Sequence, residues 1–184
     1  MRLLIIGPQG AGKGTQAALL AEHLHVPHVS TGDLFRANVG HGTELGLQAQ
    51  KFMDAGNLVP DTITSAMVAD RLAEPDATGF LLDGFPRNLS QAEWFDSLCE
   101  ERGLVLDAVL LLTAPDEVLL ERMMARGRAD DTEAAISRRL SIYHTETTPL
   151  LDHYGPKVVR VDGVGAIEDV QNRILVALGR EDLL

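Results

Sequence analysis

Apolar residues fall along the chain in short unbroken runs, separated by longer stretches whose apolar positions recur about every 3.6 residues; this predicts strands alternating with helices. The first run, Leu3-Leu4-Ile5-Ile6, is a strand buried on both faces, as in a parallel sheet. The stretch from Thr15 to Leu24 sets Ala17, Leu20, Ala21 and Leu24 on one helical face. Val26-Pro27-His28-Val29-Ser30 predicts a short second strand. Small hydroxyls and Gly in Ser30-Thr31-Gly32-Asp33 open a helix, and Thr43-Glu44-Leu45 opens another that Ala55-Gly56-Asn57 closes. Asp61 caps a helix running to about Leu72, and Phe80-Leu81-Leu82-Asp83 is the third strand. Ser90-Gln91-Ala92-Glu93 forms a capping box for a helix to Arg102, where Gly103 stops it. Asp107–Thr113 is the fourth strand, and Pro115 sits in the first turn of a helix reaching Arg126. The pattern breaks over Gly127–Thr132, resumes as a helix near Glu133 and is interrupted again at Pro149. Lys157–Asp162 is the fifth strand, and a last helix ends near Leu178.

This alternation predicts an α/β fold in one domain, 1–184, with a five-stranded parallel sheet covered by helices on both faces. Two excursions leave it. Residues 30–59 hold two helices where a crossover needs one, which predicts a small binding lobe with Thr31 and Arg36 at its mouth. Residues 125–131 form a second, very short one.

Composition narrows the class. Hydrophobic residues make up 45% and charged ones 23%, which is globular and not disordered. No apolar stretch approaches the roughly 18–20 residues of a membrane span, and the first residues enter a strand instead of forming a removable signal. The single cysteine, Cys99, allows no internal disulfide and no multi-cysteine zinc site. A soluble cytoplasmic protein is expected, and a monomer, since no exposed apolar run demands a partner. The net charge of −11 argues against a nucleic-acid surface. Any polyanion must therefore meet locally concentrated positive charge; of the 16 basic residues 13 are Arg, the residue suited to bidentate phosphate contacts. His23, His25 and His28 lie at a helix end and a turn without a Cys or carboxylate partner, and read as solvated.

Between the first strand and helix lies Gly7-Pro8-Gln9-Gly10-Ala11-Gly12-Lys13-Gly14-Thr15, the G-x-x-x-x-G-K pattern in the strand–loop–helix setting that gives it meaning. Gly7, Gly10, Gly12 and Gly14 let backbone N–H groups turn inward on an anion, and the helix N-terminus adds its partial positive charge. Lys13 reaches the β- and γ-phosphates, and Thr15 offers a hydroxyl to a Mg2+ shell, one place later than the usual pattern has it. Asp83, a carboxylate ending an apolar strand, is placed to orient the Mg2+ or its waters. Thr31, Arg36, Arg87 and the arginines 122, 126, 128, 138 and 139 remain unexplained by one triphosphate. A second phosphate-bearing substrate accounts for them, which points to a kinase whose acceptor is itself an anion.

GPQGAGKGTQ, STGDLFR, DAGNLVP, GFLLDGFPR followed by Gln91, and GRADD closely resemble the adenylate kinase family from Met1 to the last helix. The resemblance implies a P-loop NTPase-type sheet with an insert that binds the nucleoside monophosphate and a short lid, and the reaction ATP·Mg2+ + AMP to two ADP. On it, Gly10, Ala11, Gly12, Lys13, Gly14, Thr15, Arg126 and Gly165 hold ATP. AMP falls to Thr31, Arg36, Asn57, Leu58, Val59, Gly84, Phe85, Pro86, Arg87, Gln91, Arg128 and Arg139. Lys13, Arg87, Arg122, Arg126, Arg128 and Arg139 are the implied catalytic set, Mg2+ is the only implied metal, and Arg138 has no assigned role. Gln9 stands where many members have Pro. The lid is of the short type, without the zinc-binding cysteines of some long-lid members.

A UMP/CMP kinase shares the fold, the DGFPR motif and a short lid. Thr31 and Gln91 favour AMP, because an amide can pair with the donor and acceptor on an adenine edge. A regulatory GTPase would need an N-K-x-D run, which is absent, and a transport ATPase subunit would need more length. A binding protein without catalysis would not need the second arginine set.

Overall fold

The computed structural model describes residues 1–54, 59–126 and 132–184, with the side chains of Met53 and Arg126 outside the description. Five strands form one sheet: β1 (Arg2–Ile6), β2 (His28–Ser30), β3 (Phe80–Asp83), β4 (Ala108–Thr113) and β5 (Val158–Asp162). Their order is β2-β3-β1-β4-β5 and every pairing is parallel. The expected fold class is the one observed, and the order puts β1, which feeds the glycine loop, at the centre.

Alternate residues of the inner strands face opposite cores, as a strand period of two requires. Leu3, Ile5, Leu81, Leu110 and Leu112 join Ala17, Leu20, Leu119 and Ile174 on one side. Leu4, Ile6, Leu82, Val109 and Leu111 join Phe80, Phe85 and Phe95 on the other. Helices α1 (Lys13–Leu24), α4 (Asp61–Arg71), α5 (Leu89–Arg102), α6 (Asp116–Arg126) and α9 (Ile167–Ala177) cover the sheet, as their shares of these two cores show. Helices α2 (Thr31–His41) and α3 (Glu44–Asp54) close with α4 on a separate small core, in which Ala49, Ile63 and Met67 meet Phe35, Leu45, Phe52 and Val59. Ser30 caps α2 by accepting from the Asp33 N–H, and Thr43 accepts from the Gly46 N–H at the start of α3. After α7 (Glu133–Ile142) the chain widens into a π turn over Tyr143–Thr147, and Pro149 begins α8 (Pro149–Tyr154), where its missing N–H costs nothing.

Several local expectations are corrected. Gly14 lies inside α1 without a left-handed backbone; the positive φ angles belong to Gly7, Gly10 and Gly12. The cap of α5 is Asn88, whose side chain accepts from the Gln91 N–H, and not Ser90. Asp61 does not cap α4; its carboxylate accepts instead from Asn88 and Gln91 at the start of α5. The closing Ala55-Gly56-Asn57 segment lies outside the described residues.

Candidate active site

The loop between β1 and α1 wraps a concave backbone surface at the carboxyl edge of the sheet, where open α/β folds bind ligands. Gly7 is irreplaceable there: a Cβ would stand 2.4 Å from the Leu112 carbonyl oxygen. Ala11 is buried, and Gly10, Gly12, Gly14 and Thr15 complete the turn into α1. Lys13 curls back so that its ammonium donates to the Pro8 carbonyl at 2.9 Å. Burial pulls that ammonium down to about 8 from 10.5, with Asp83 opposing the fall and Arg87 adding to it. Lys13 thus lies within electrostatic range of the carboxylate that ends β3 and of the guanidinium that follows it.

Asp83 ends β3 beside β1, and its Oδ2 lies 3.7 Å from where a Cβ on Gly14 would stand. This sets an oxygen donor against the first turn of α1, close to Thr15, whose side chain is exposed. A hard carboxylate oxygen and a hydroxyl beside a phosphate cradle are the donor chemistry Mg2+ takes. Among the described residues no group of three or more His, Cys, Asp and Glu side chains is arranged to hold a metal. His28 corrects the solvated reading: it is half-buried on β2, and its Nε2 lies 3.5 Å from Asp83 Oδ2. Nothing in the local pattern pointed to this, because it follows from β2 pairing with β3.

The segment Gly84–Gln91 forms the second wall. Arg87 is exposed at its head and donates from Nε to the Gly84 carbonyl at 2.7 Å. Its backbone is held from both sides: the N–H donates to Gln91 Oε1 at 2.8 Å, and the carbonyl accepts from the Thr147 hydroxyl at 2.9 Å. Thr147, in the π turn, is a positioning contact that sequence reasoning missed. Thr31, buried at the start of α2, donates to the Gly84 carbonyl at 3.1 Å. Its hydroxyl therefore ties the insert to this segment. Gly84 allows that approach, since with φ +82 it would carry a Cβ 2.7 Å from Thr31 Oγ1. Phe85 is taken up by the core, edge-on to Trp94 and Phe95, and Pro86 is buried beside it, so a ligand meets at most the backbone there. Gln91 is buried as well, with its amide engaged at both ends.

The remaining arginines come from three helices. Arg36 is exposed on α2 and paired with Asp33, whose carboxyl it holds below the usual range. Arg122 on α6 forks between two carbonyls, Gly10 at 3.2 Å and Gly163 at 3.0 Å, tying the glycine loop to the turn after β5. Gly165 follows in that turn with φ +122. Arg139, on α7, is half-buried and Arg138 is exposed. Val59 precedes α4 and belongs to the small core of the insert. Asn57, Leu58, Arg128 and the Arg126 side chain lie outside the described residues, as does most of the stretch 125–131. The structure brings together the glycine loop, Lys13, Asp83, Arg87, Thr31 and Arg122.

Comparison with known proteins agrees with this arrangement. A family model described as "Adenylate kinase" matches residues 5–159. The adenylate kinase of Corynebacterium glutamicum strain R is 54% identical over 181 residues, covering 98% of this chain and all of the relative. Adenylate kinases of Nocardia farcinica and Mycolicibacterium vanbaalenii are 55% and 54% identical over the same coverage. With sheet, glycine loop and sequence in agreement along nearly its whole length, the chain belongs to the adenylate kinase family.

Proposed function

We propose that the protein transfers the γ-phosphoryl group of ATP·Mg2+ to AMP, giving two ADP. The observation that carries this reading is the meeting of the glycine loop with Asp83 and Arg87: Asp83 Oδ2 lies 3.7 Å from where a Cβ on Gly14 would stand, and the charges of both Asp83 and Arg87 reach Lys13. A phosphate oxygen of AMP attacks the γ-phosphorus, the bond from that phosphorus to the β–γ bridging oxygen breaks, and its electron pair leaves with ADP. The protein supplies alignment and charge. The amides of residues 10–15 and Lys13 hold the ATP phosphates, and a bound polyanion holds the Lys13 ammonium protonated. Arg87 and Arg36 take the AMP phosphate, Arg36 exchanging its Asp33 partner for it. Arg122, Arg126, Arg128 and Arg139 gather around the transferring group, and Gly165 lies beside the adenine of ATP. Asp83 and Thr15 would hold Mg2+, which would supply positive charge to offset that of the phosphates.

The AMP base is assigned to Thr31, residues 57–59, the Gly84–Pro86 backbone and Gln91. Residues 30–59 act as the acceptor lobe and 125–131 as a short lid that excludes water. One chain contains both sites, so the reading needs no oligomer. Among the described residues no helix is long and apolar enough to cross a membrane.

The test is an initial-rate panel of AMP, CMP, UMP and GMP with ATP·Mg2+. The reading expects AMP to exceed the pyrimidines by at least about tenfold in kcat/KM. A pyrimidine preference would assign the acceptor lobe to UMP or CMP, and no turnover with any of them would overturn the kinase reading.

A further inference from the structure

The contacts around Gln91 assign a role to a carboxylate that belongs to neither nucleotide site. Asp61, in the first turn of α4, accepts from Gln91 Nε2 at 2.6 Å through Oδ1 and from Asn88 Nδ2 at 2.9 Å through Oδ2. Asn88 Oδ1 in turn accepts from the Gln91 N–H, and Gln91 Oε1 accepts from the Arg87 N–H. The ring is closed and its polarity is fixed at both ends. A backbone N–H can only donate and an ionised carboxylate can only accept, so the amide has one satisfying orientation. Gln91 is 5% exposed, and flipping it would oppose two donors at Arg87 and two acceptors at Asp61.

We propose that Asp61 is a positioning residue for acceptor recognition: it locks the Gln91 amide and, through it, steadies the Arg87 backbone. This rests on the reading above, in which Gln91 borders the acceptor base. After these contacts Gln91 keeps one N–H and one oxygen lone pair, presented in a fixed order. That order suits a purine edge with an amino donor beside a ring-nitrogen acceptor, as in AMP, and opposes the reversed pair of IMP. Asp61 opens α4 just after the insert returns to the sheet, so it also joins the base of the acceptor lobe to the Arg87 segment.

The perturbation is Asp61→Asn, which keeps the shape and puts a donor where only an acceptor fits. Asp61 borders a cleft of about 350 Å³ between α4 and α5, so water can meet the displaced group and the variant is expected to fold. Steady-state kinetics with ATP·Mg2+ give the readout. Expected are a KM for AMP raised about fivefold or more, a KM for ATP changed less than about twofold, and an AMP-over-IMP ratio in kcat/KM lowered about fivefold or more. In a Gln91→Ala background the same substitution leaves the KM for AMP unchanged, because the element it orients is gone. Equal rises in both KM values, an unchanged AMP-over-IMP ratio, or a full effect in the Gln91→Ala background would each overturn the proposal. Should Asp61→Asn not fold, Asp61→Ala removes the carboxylate that accepts from Gln91 and Asn88 at the edge of the cleft, without placing a donor against them. It must then show the same split in KM, and its failure to do so overturns the proposal equally. If the wild-type protein does not phosphorylate AMP at all, the functional reading fails, an outcome separate from any behaviour of the variants.

Discussion

Lys13→Met separates what the site costs the fold from what it does for the reaction. Lys13 is half-buried, its ammonium donates to the Pro8 carbonyl, and burial pulls that ammonium from 10.5 to about 8. At about 1.4 kcal/mol per pH unit, that drop sets a ceiling near 3 kcal/mol on the cost of carrying the charge at pH 7. Methionine is of similar length and carries none of this cost. It forfeits the bond to Pro8, about 1 kcal/mol, and water reaching the partly exposed site reduces the gain further. A net stabilisation of about 1–2 kcal/mol remains, or roughly 2–8 °C in Tm for a domain of this size. The sign with pH follows from linkage. Between about 8 and 10.5 the folded wild type has released a proton that the unfolded chain still holds, so wild-type stability rises across that window and the gap to the variant narrows. Thermal melts of both proteins at pH 7, 8.5 and 10 test this, alongside turnover, which should fall at least about 100-fold in the variant. A variant melting at or below wild type at pH 7, or a gap that widens with pH, would refute the argument.

Four further outcomes follow from the same geometry. Binding of ATP at pH 8 should take up about half a proton as the phosphates restore the Lys13 charge; calorimetry in buffers of different ionisation enthalpy reads this, and no uptake would contradict it. Arg87→Ala should lower kcat/KM for AMP at least about 100-fold with the melting temperature nearly unchanged, since the guanidinium is exposed, and near-normal rates would remove Arg87 from its role. Thr31→Val removes the tie to the Gly84 carbonyl and should cost about 1–2 kcal/mol in stability by denaturant unfolding; a neutral result would mean the contact is idle. Gly84→Ala forces a left-handed alanine against Thr31 Oγ1, and should destabilise by about 2 kcal/mol or more while raising the KM for AMP.

Elements made by local pattern were legible in the sequence and contacts between distant segments were not. Leu3–Ile6, Phe80–Asp83 and the Ala108–Thr113 run could be recognised because a strand buried on both faces has no polar position to disguise it. The glycine loop was legible for a similar reason, since its glycines meet a local backbone demand. Asn88 and Ser90 are both good cap residues two positions apart, and only the register of α5 decides between them. Asp61 looked like a local cap, while its partners lie about 30 residues on. His28 lies beside Asp83 only because β2 is an edge strand next to β3, and Thr147 reaches Arg87 across 60 residues of chain. The Gln91 amide offers two positions at each end, and its partners engage one at each and leave the other for a ligand.

The proposed transfer requires two anion sites that meet between Lys13 and Arg87. Titration with a single molecule in which two adenosines are joined through five phosphates tests it most directly, because only adjoining sites admit both ends at once. One molecule is expected to bind per chain, displaced by ATP and by AMP alike, with affinity lost in both Lys13→Ala and Arg87→Ala. Competition with ATP alone, with affinity indifferent to Arg87, would contradict it.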